Sequence, residues 1–252
     1  MKSIIIIVLL AYAGLCLLLF VFQKSILYYP QPAIGIDGAE PIKVEVEDLA
    51  LSGWVVNPEK DNAIIYYGGN AEMIETNAPQ FRELLQDHAL YFIPYRGYGD
   101  NLGEPEESKL YSDALSVFDH VSKKHRSISL IGRSLGSGVA THVASMRAVE
   151  KIALITPYDS IVAVAGTHYP FFPVSLLVNQ KFLSIEKAPN IKSPALILIA
   201  EKDQVIPPMH SERLAKAFDK SLLTKTIIKK ASHNDISNYE VFESELRKFF
   251  RE

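Results

Sequence analysis

The chain has 252 residues, 48% of them hydrophobic, and a formal charge of −3. That is enough for one sizeable α/β domain, and it leaves no basic stripe to follow nucleic-acid phosphates. A single cysteine, Cys16, excludes an intramolecular disulfide and a cysteine-cluster metal site.

Residues 4–22 contain no charged side chain and are bounded by Lys2 and Lys24. As a helix this run reaches roughly 29 Å, about the thickness of a bilayer's hydrocarbon core. It exceeds the ~7–15 apolar residues of a cleaved signal peptide, and no small-residue cleavage site follows it. Leu15 precedes Cys16 where lipidation would need a small residue, so Cys16 is expected to pack. The expected organisation is an uncleaved membrane anchor over 1–24 and one domain over 25–252. Lys2 and Lys24 are too balanced to set its orientation. Tyr28 and Tyr29 suit either the membrane interface or packing on the first strands.

Beyond the Pro- and Gly-containing connector 32–41, Ile42, Val44 and Val46 alternate with Lys43, Glu45 and Glu47. Period two marks a half-buried strand. Further strands are expected at 49–56, 63–67 and 89–94. The run 63–67 breaks at Gly68-Gly69-Asn70-Ala71. Pro79 fits the first turn of a helix capped by Asn77 or Ala78, with Phe81, Leu84 and Leu85 on one face. Three glycines between Tyr95 and Pro105 require a tightly shaped loop. Leu110, Ala114, Val117, Phe118 and Val121 then recur at helical spacing.

The strand 128–131 ends abruptly in Gly132-Arg133-Ser134-Leu135-Gly136, and a helix is expected over 139–146. Gly-x-Ser-x-Gly between a strand and a helix puts a serine hydroxyl on a sharp exposed turn. Strands at 152–155, 195–199 and 222–228 follow, with helices at 210–218 and 239–250. This alternation implies a mostly parallel sheet with helices on both faces, and functional groups at the carboxyl ends of its strands.

Asp203 lies in the loop after strand 195–199, and His233 in the loop after the last strand. The chain order Ser134, Asp203, His233 is the one such a sheet requires of a nucleophile, its acid and its base. In that assignment His233 takes the proton of Ser134, and Asp203 orients the imidazole. Glu201 and Asp235 are rival acids. The remaining histidines, His88, His120, His125, His142, His168 and His210, read as surface or packed residues. An oxyanion hole needs two backbone N–H donors. Leu135 supplies one by its place after the serine, and Asn70, after the Gly68-Gly69 pair, is the choice for the other. An ordinary Gly-Gly turn is the alternative there.

Together, Gly69-Asn70-Ala71, Tyr95-Arg96-Gly97-Tyr98-Gly99 with Gly103-Glu104-Pro105, Gly132-Arg133-Ser134-Leu135-Gly136 and His233-Asn234-Asp235 resemble the alpha/beta-hydrolase superfamily. Within it they are similar to the membrane-anchored subfamily of depalmitoylating thioesterases and their bacterial relatives. Gly68 stands where those relatives usually carry a histidine. The resemblance implies an alpha/beta-hydrolase fold with a small cap insertion over about 157–194 and one N-terminal transmembrane helix. It also implies hydrolysis of an acyl ester or thioester without metal or organic cofactor. A membrane anchor beside an apolar cap makes a lipid or lipidated protein the candidate substrate. A peptidase or amidase shares the same machinery, and a non-catalytic tethered binding protein can share the fold. The apolar insertion, with Tyr169-Pro170-Phe171-Phe172-Pro173-Val174, suits an acyl pocket or a plain cover for the sheet. Arg96 is expected to shape the sheet edge, with substrate contact as its alternative.

Overall fold

The computed structural model describes residues 1–251. Helix α1 (Lys2–Leu27) is continuous, and none of its residues is buried. It is long and apolar enough to cross a membrane, and it runs past the expected boundary at 24. Strands β1 (Glu40–Glu45), β2 (Ala50–Val56) and β3 (Asn62–Tyr67) follow, then helix α2 (Ala78–Leu84) and β4 (His88–Phe92). Pro79 lies in the first turn of α2 and Asn77 is its N-cap residue, both as expected, but the Asn77 side chain makes no capping bond. It donates instead to Glu72 Oε1 at 2.7 Å.

The rest of the chain alternates: α3 (Glu107–Val121), β5 (Ser127–Arg133), α4 (Leu135–Met146) and β6 (Ile152–Ile155). The insertion holds three short helices, α5 (Ile161–His168), α6 (Val174–Leu177) and α7 (Ser184–Lys187). Then come β7 (Ala195–Ala200), α8 (Pro208–Ala217), β8 (Leu223–Ile228) and α9 (Glu240–Arg251). Helix α4 starts at Leu135, four residues before the expected 139. Gly136 and Gly138 are poor helix formers, but tertiary packing outweighs that propensity: a side chain on Gly138 would strike the Tyr158 hydroxyl at 2.1 Å.

The eight strands form one sheet in the order β1-β2-β4-β3-β5-β6-β7-β8. Strand β2 is antiparallel to both its neighbours, and every other pairing is parallel. The period-two geometry of a strand divides the core. Ala63, Ile65 and Tyr67 face the same cluster as Leu110, Val117, Val139 and Leu214, while Ile64 and Tyr66 face Phe81, Leu84, Phe242 and Leu246. Helices α3, α4 and α8 thus cover one face, and α2 and α9 the other. This is the doubly covered, mostly parallel sheet expected from the sequence, and it is the alpha/beta-hydrolase fold.

Arg96 belongs to this framework. Its Nε and Nη2 donate to both carboxylate oxygens of Asp113 on α3 at 2.7 and 2.6 Å, and Nη1 and Nη2 reach Asp48 between β1 and β2. With its side chain 2% exposed, it ties the glycine loop to the sheet edge and does not reach the site. Tyr28 is buried too, its hydroxyl donating to Gln180 at 2.9 Å, whereas Tyr29 is exposed. Packing is therefore the outcome for Tyr28.

Candidate active site

Ser134 follows directly on β5, at φ 49° and ψ −117°. A non-glycine residue adopts this strained backbone only when its surroundings impose it. Here the two glycines permit the close approach. A Cβ on Gly132 would lie 2.5 Å from the Gly136 carbonyl oxygen, and one on Gly136 would lie 2.0 Å from that of Tyr67. Only bare backbone lets α4 press against β3 and β5 while the serine projects from the corner.

The loops after β7 and β8 converge on that corner. His233 Nδ1 donates to Asp203 Oδ2 at 2.7 Å, leaving Nε2 to accept from Ser134 Oγ at 2.9 Å. Asp203 is buried, and its Oδ1 accepts the N–H groups of Val205 and Ile206 at 2.9 and 2.8 Å. Those bonds fix the carboxylate and satisfy its second oxygen. The rival acids are occupied elsewhere. Glu201 accepts from Lys229 Nζ and the Lys230 N–H at 2.9 and 2.8 Å, and Asp235 accepts the Ser232 N–H at 2.7 Å. They shape the histidine loop without contacting the ring.

Leu135 opens α4, so its N–H has no intrahelical partner. The Asn70 N–H donates to no protein acceptor among the described residues, and both residues line the same cavity as Ser134. The Asn70 side chain points elsewhere, its Oδ1 accepting from the Tyr29 N–H and the Tyr98 hydroxyl at 2.9 and 2.8 Å. The Gly69 N–H is spent on Glu72 Oε2. A side chain on Gly68 would meet Ile74 Cγ2 at 2.2 Å.

Glu72 and Arg133 carry no signal in the sequence that marks them for the site. Glu72 Oε1 accepts from Arg133 Nη1 at 2.9 Å and from the Tyr66 hydroxyl at 2.8 Å, while Arg133 Nη2 points at the His233 carbonyl at 3.4 Å. Burial works to lower the Arg133 pKa, but the charge of Glu72 and the Tyr66 hydroxyl outweigh it and raise it, so the guanidinium stays charged. The pair links the loop after β3 to the loop carrying His233, across the serine. Arg133 occupies a variable position of the serine motif, and Glu72 sits in an irregular segment, which is why no pattern exposes either.

Ser134 opens on two unlike spaces. One is an apolar cavity of about 280 Å³ walled by Tyr158, Ile161, Val164, Phe172, Leu177 and Ile206 together with α1 residues. The other is a wider, more polar cleft bordered by Asn70, Thr76, Asn77, Arg133 and Asn234. Among the described residues no group of His, Cys, Asp and Glu is arranged to hold a metal ion.

The chain matches the serine hydrolase (FSH1) family over residues 58–234, a span that includes Ser134, Asp203 and His233. It belongs to that family. This hydrolase is 29% identical over 229 residues to an uncharacterised protein of Mycobacterium tuberculosis, covering 84% of this chain and 80% of that one. It is 27% identical over 243 residues to the alpha/beta hydrolase domain-containing protein WAV2 of Arabidopsis thaliana, covering 81% and 78%. It is 34% identical over 168 residues to the lysophosphatidylserine lipase ABHD12 of Xenopus tropicalis, covering 57% of this chain and 43% of that one. The esterase Pf2001 of Pyrococcus furiosus has the same fold, with a TM-score of 0.71 at 17% identity, covering 88% of this chain and 98% of that one.

Proposed function

We propose that this serine hydrolase is held to a membrane by α1 and cleaves acyl esters or thioesters through an acyl-enzyme on Ser134. The observation that carries the reading is the position of Ser134. Its Oγ lies 2.9 Å from His233 Nε2, at the mouth of an apolar cavity on one side and a polar cleft on the other. An acyl chain fits the first space, and an alcohol or thiol leaving group fits the second. A lipid ester with one acyl chain, the class in the name of the Xenopus relative, has this two-part character.

In the proposed reaction Ser134 Oγ attacks the carbonyl carbon as its proton passes to His233 Nε2. Asp203 holds the ring and stabilises the imidazolium. The backbone N–H groups of Leu135 and Asn70 receive the developing oxyanion. Collapse expels the alkoxide or thiolate, which takes the proton from His233. Water, deprotonated by the same nitrogen, then releases the acid and restores the serine.

A fluorophosphonate probe applied to full-length protein in detergent tests the nucleophile. Wild type is expected to label and Ser134→Ala to lose labelling entirely, with acyl-ester hydrolysis falling by roughly 10³-fold or more. Equal labelling of the two proteins would refute the assignment. A panel of esters, thioesters and amides then ranks the leaving groups, with amides expected last.

A further inference from the structure

The segment 161–180 contains no Asp, Glu, Lys or Arg, yet of its residues only Gln180 is buried. Helices α5 and α6 bury no residue at all, and Phe171 and Leu176 are 86% and 81% exposed. An uncharged, apolar stretch left this bare calls for a solvent other than water.

Its neighbour is α1. The Tyr12 hydroxyl donates to the Phe171 carbonyl at 2.8 Å, and the Tyr12 ring stacks on Phe172 with centroids 5.8 Å apart. Farther along the helix, Gln23 Nε2 donates to the Leu177 carbonyl at 3.2 Å, and Gln23 Oε1 accepts the Asn179 N–H at 2.8 Å. Tyr12 lies ten residues before Phe22, the last residue of the apolar run, so the contact at Phe171 is roughly 15 Å along the helix from its end. That is about half of a ~30 Å hydrocarbon core. The backbone at the tip suits such a place. Pro170 and Pro173 have no N–H to satisfy, Tyr12 occupies the Phe171 carbonyl, and the Phe172 N–H donates to the Tyr169 carbonyl.

The cavity beside Ser134 is built from both partners. Leu19, Gln23, Ile26 and Leu27, which fall on one stripe of α1, wall it opposite Val164, Phe172, Val174 and Leu177 of the cap. We propose that the cap tip is immersed in the leaflet that surrounds the C-terminal half of α1, and that α1 is one wall of the acyl site. An acyl chain then reaches Ser134 from the hydrocarbon by passing between α1 and the cap. This inference rests on the reading of α1 as a membrane helix.

The test uses full-length protein with Cys16→Ser, reconstituted in phosphatidylcholine vesicles. An environment-sensitive fluorophore is placed at Phe171→Cys or, as a control, at Leu10→Cys. Lipids carrying a nitroxide midway along the acyl chain are expected to quench both. Quenching at residue 10 with none at 171, or quenching at 171 only by a headgroup nitroxide, would overturn the immersed cap and leave the anchor standing. No quenching at either position would remove the anchor and the inference together.

The wall is tested by Leu19→Trp and Ile26→Trp, which fill the cavity from the helix side. The ratio of kcat/KM for a 4-nitrophenyl palmitate to that for the acetate is expected to fall about tenfold, as one pocket contact typically discriminates. Fluorophosphonate labelling of Ser134 identifies the folded fraction. An unchanged ratio in labelled protein would overturn the role of α1 in the site while leaving the serine assignment intact.

Discussion

Asp203 and Glu201 stand two residues apart after the same strand, and their side chains do unlike things. Asp203 is buried, with one oxygen on His233 and the other on two backbone N–H groups. Glu201 reaches back to Lys229 and Lys230 from a half-buried position. The amide in Asp203→Asn can present a donor where His233 needs an acceptor, favouring the wrong tautomer. Hydrolysis by Asp203→Asn is therefore expected to drop by roughly 10⁴-fold, with Glu201→Gln losing no more than a few-fold. Steady-state rates on a short 4-nitrophenyl ester measure both, and comparable losses would transfer the role to Glu201. Sequence order pointed to Asp203, with Glu201 beside it and Asp235 just past His233 as rivals. Setting the rivals aside needed the paths of both loops, because separation along the chain says nothing about which carboxylate turns inward.

The strand, turn and helix that carry Ser134 depend on how closely backbones can approach. In Gly136→Ala the new methyl would sit 2.0 Å from the Tyr67 carbonyl oxygen, and backbone of a central strand cannot move aside as a side chain can. A loss on the order of 3 kcal/mol is expected, read as a lower urea midpoint. Gly166→Ala in α5 is the contrast. Its Cβ would meet only Val174 Cγ2, at 3.5 Å, so the variant should match wild type or gain up to about 1 kcal/mol from helix propensity. Both glycines are helical in the structure, and composition alone does not distinguish them. The signal that does is the serine between Gly132 and Gly136, which is why this element was legible and the early start of α4 was not.

Stability of the whole molecule draws on charges far apart in the chain. Arg96 joins the glycine loop, α3 and the β1–β2 turn through Asp113 and Asp48. Arg96→Met would leave Asp113 buried without its cation, and about 3–5 kcal/mol of unfolding free energy should be lost in urea titrations. Acid sensitivity comes from histidines held neutral. Burial, with Lys187 and Arg147 nearby, pushes the His142 pKa down to about 4, where its ring stacks 3.9 Å from that of Tyr111. Burial also lowers His120, assisted by Lys124 and Lys123, and lowers His88 against the opposing charge of Asp87, with Lys151 assisting. The unfolded chain takes up these protons near pH ~6.5 while the folded one resists them, so their stabilisation is full above ~6.5 and declines toward pH ~4. Urea midpoints measured across that window should fall with pH, and His142→Phe should flatten the slope. A midpoint independent of pH there would contradict this account.

The sequence by itself determined the fold class, the apolar α1, the serine turn and the order of its partners. Each of these is written in local periodicity, in the absence of charge, or in spacing, and so survives without knowledge of any distant neighbour. Tertiary structure decided that the rival carboxylates, Glu201 and Asp235, turn away from His233. It also decided that Arg133 and Glu72 brace the two loops beside Ser134, and that Arg96 is framework. The cavity is the clearest case: around Asn70, Ser134 and Leu135 its walls come from residues 19–27 and 158–206, brought together because α1 lies along the cap. Contacts between segments more than a hundred residues apart leave no periodic trace in either one, and for that reason they had to be seen in three dimensions.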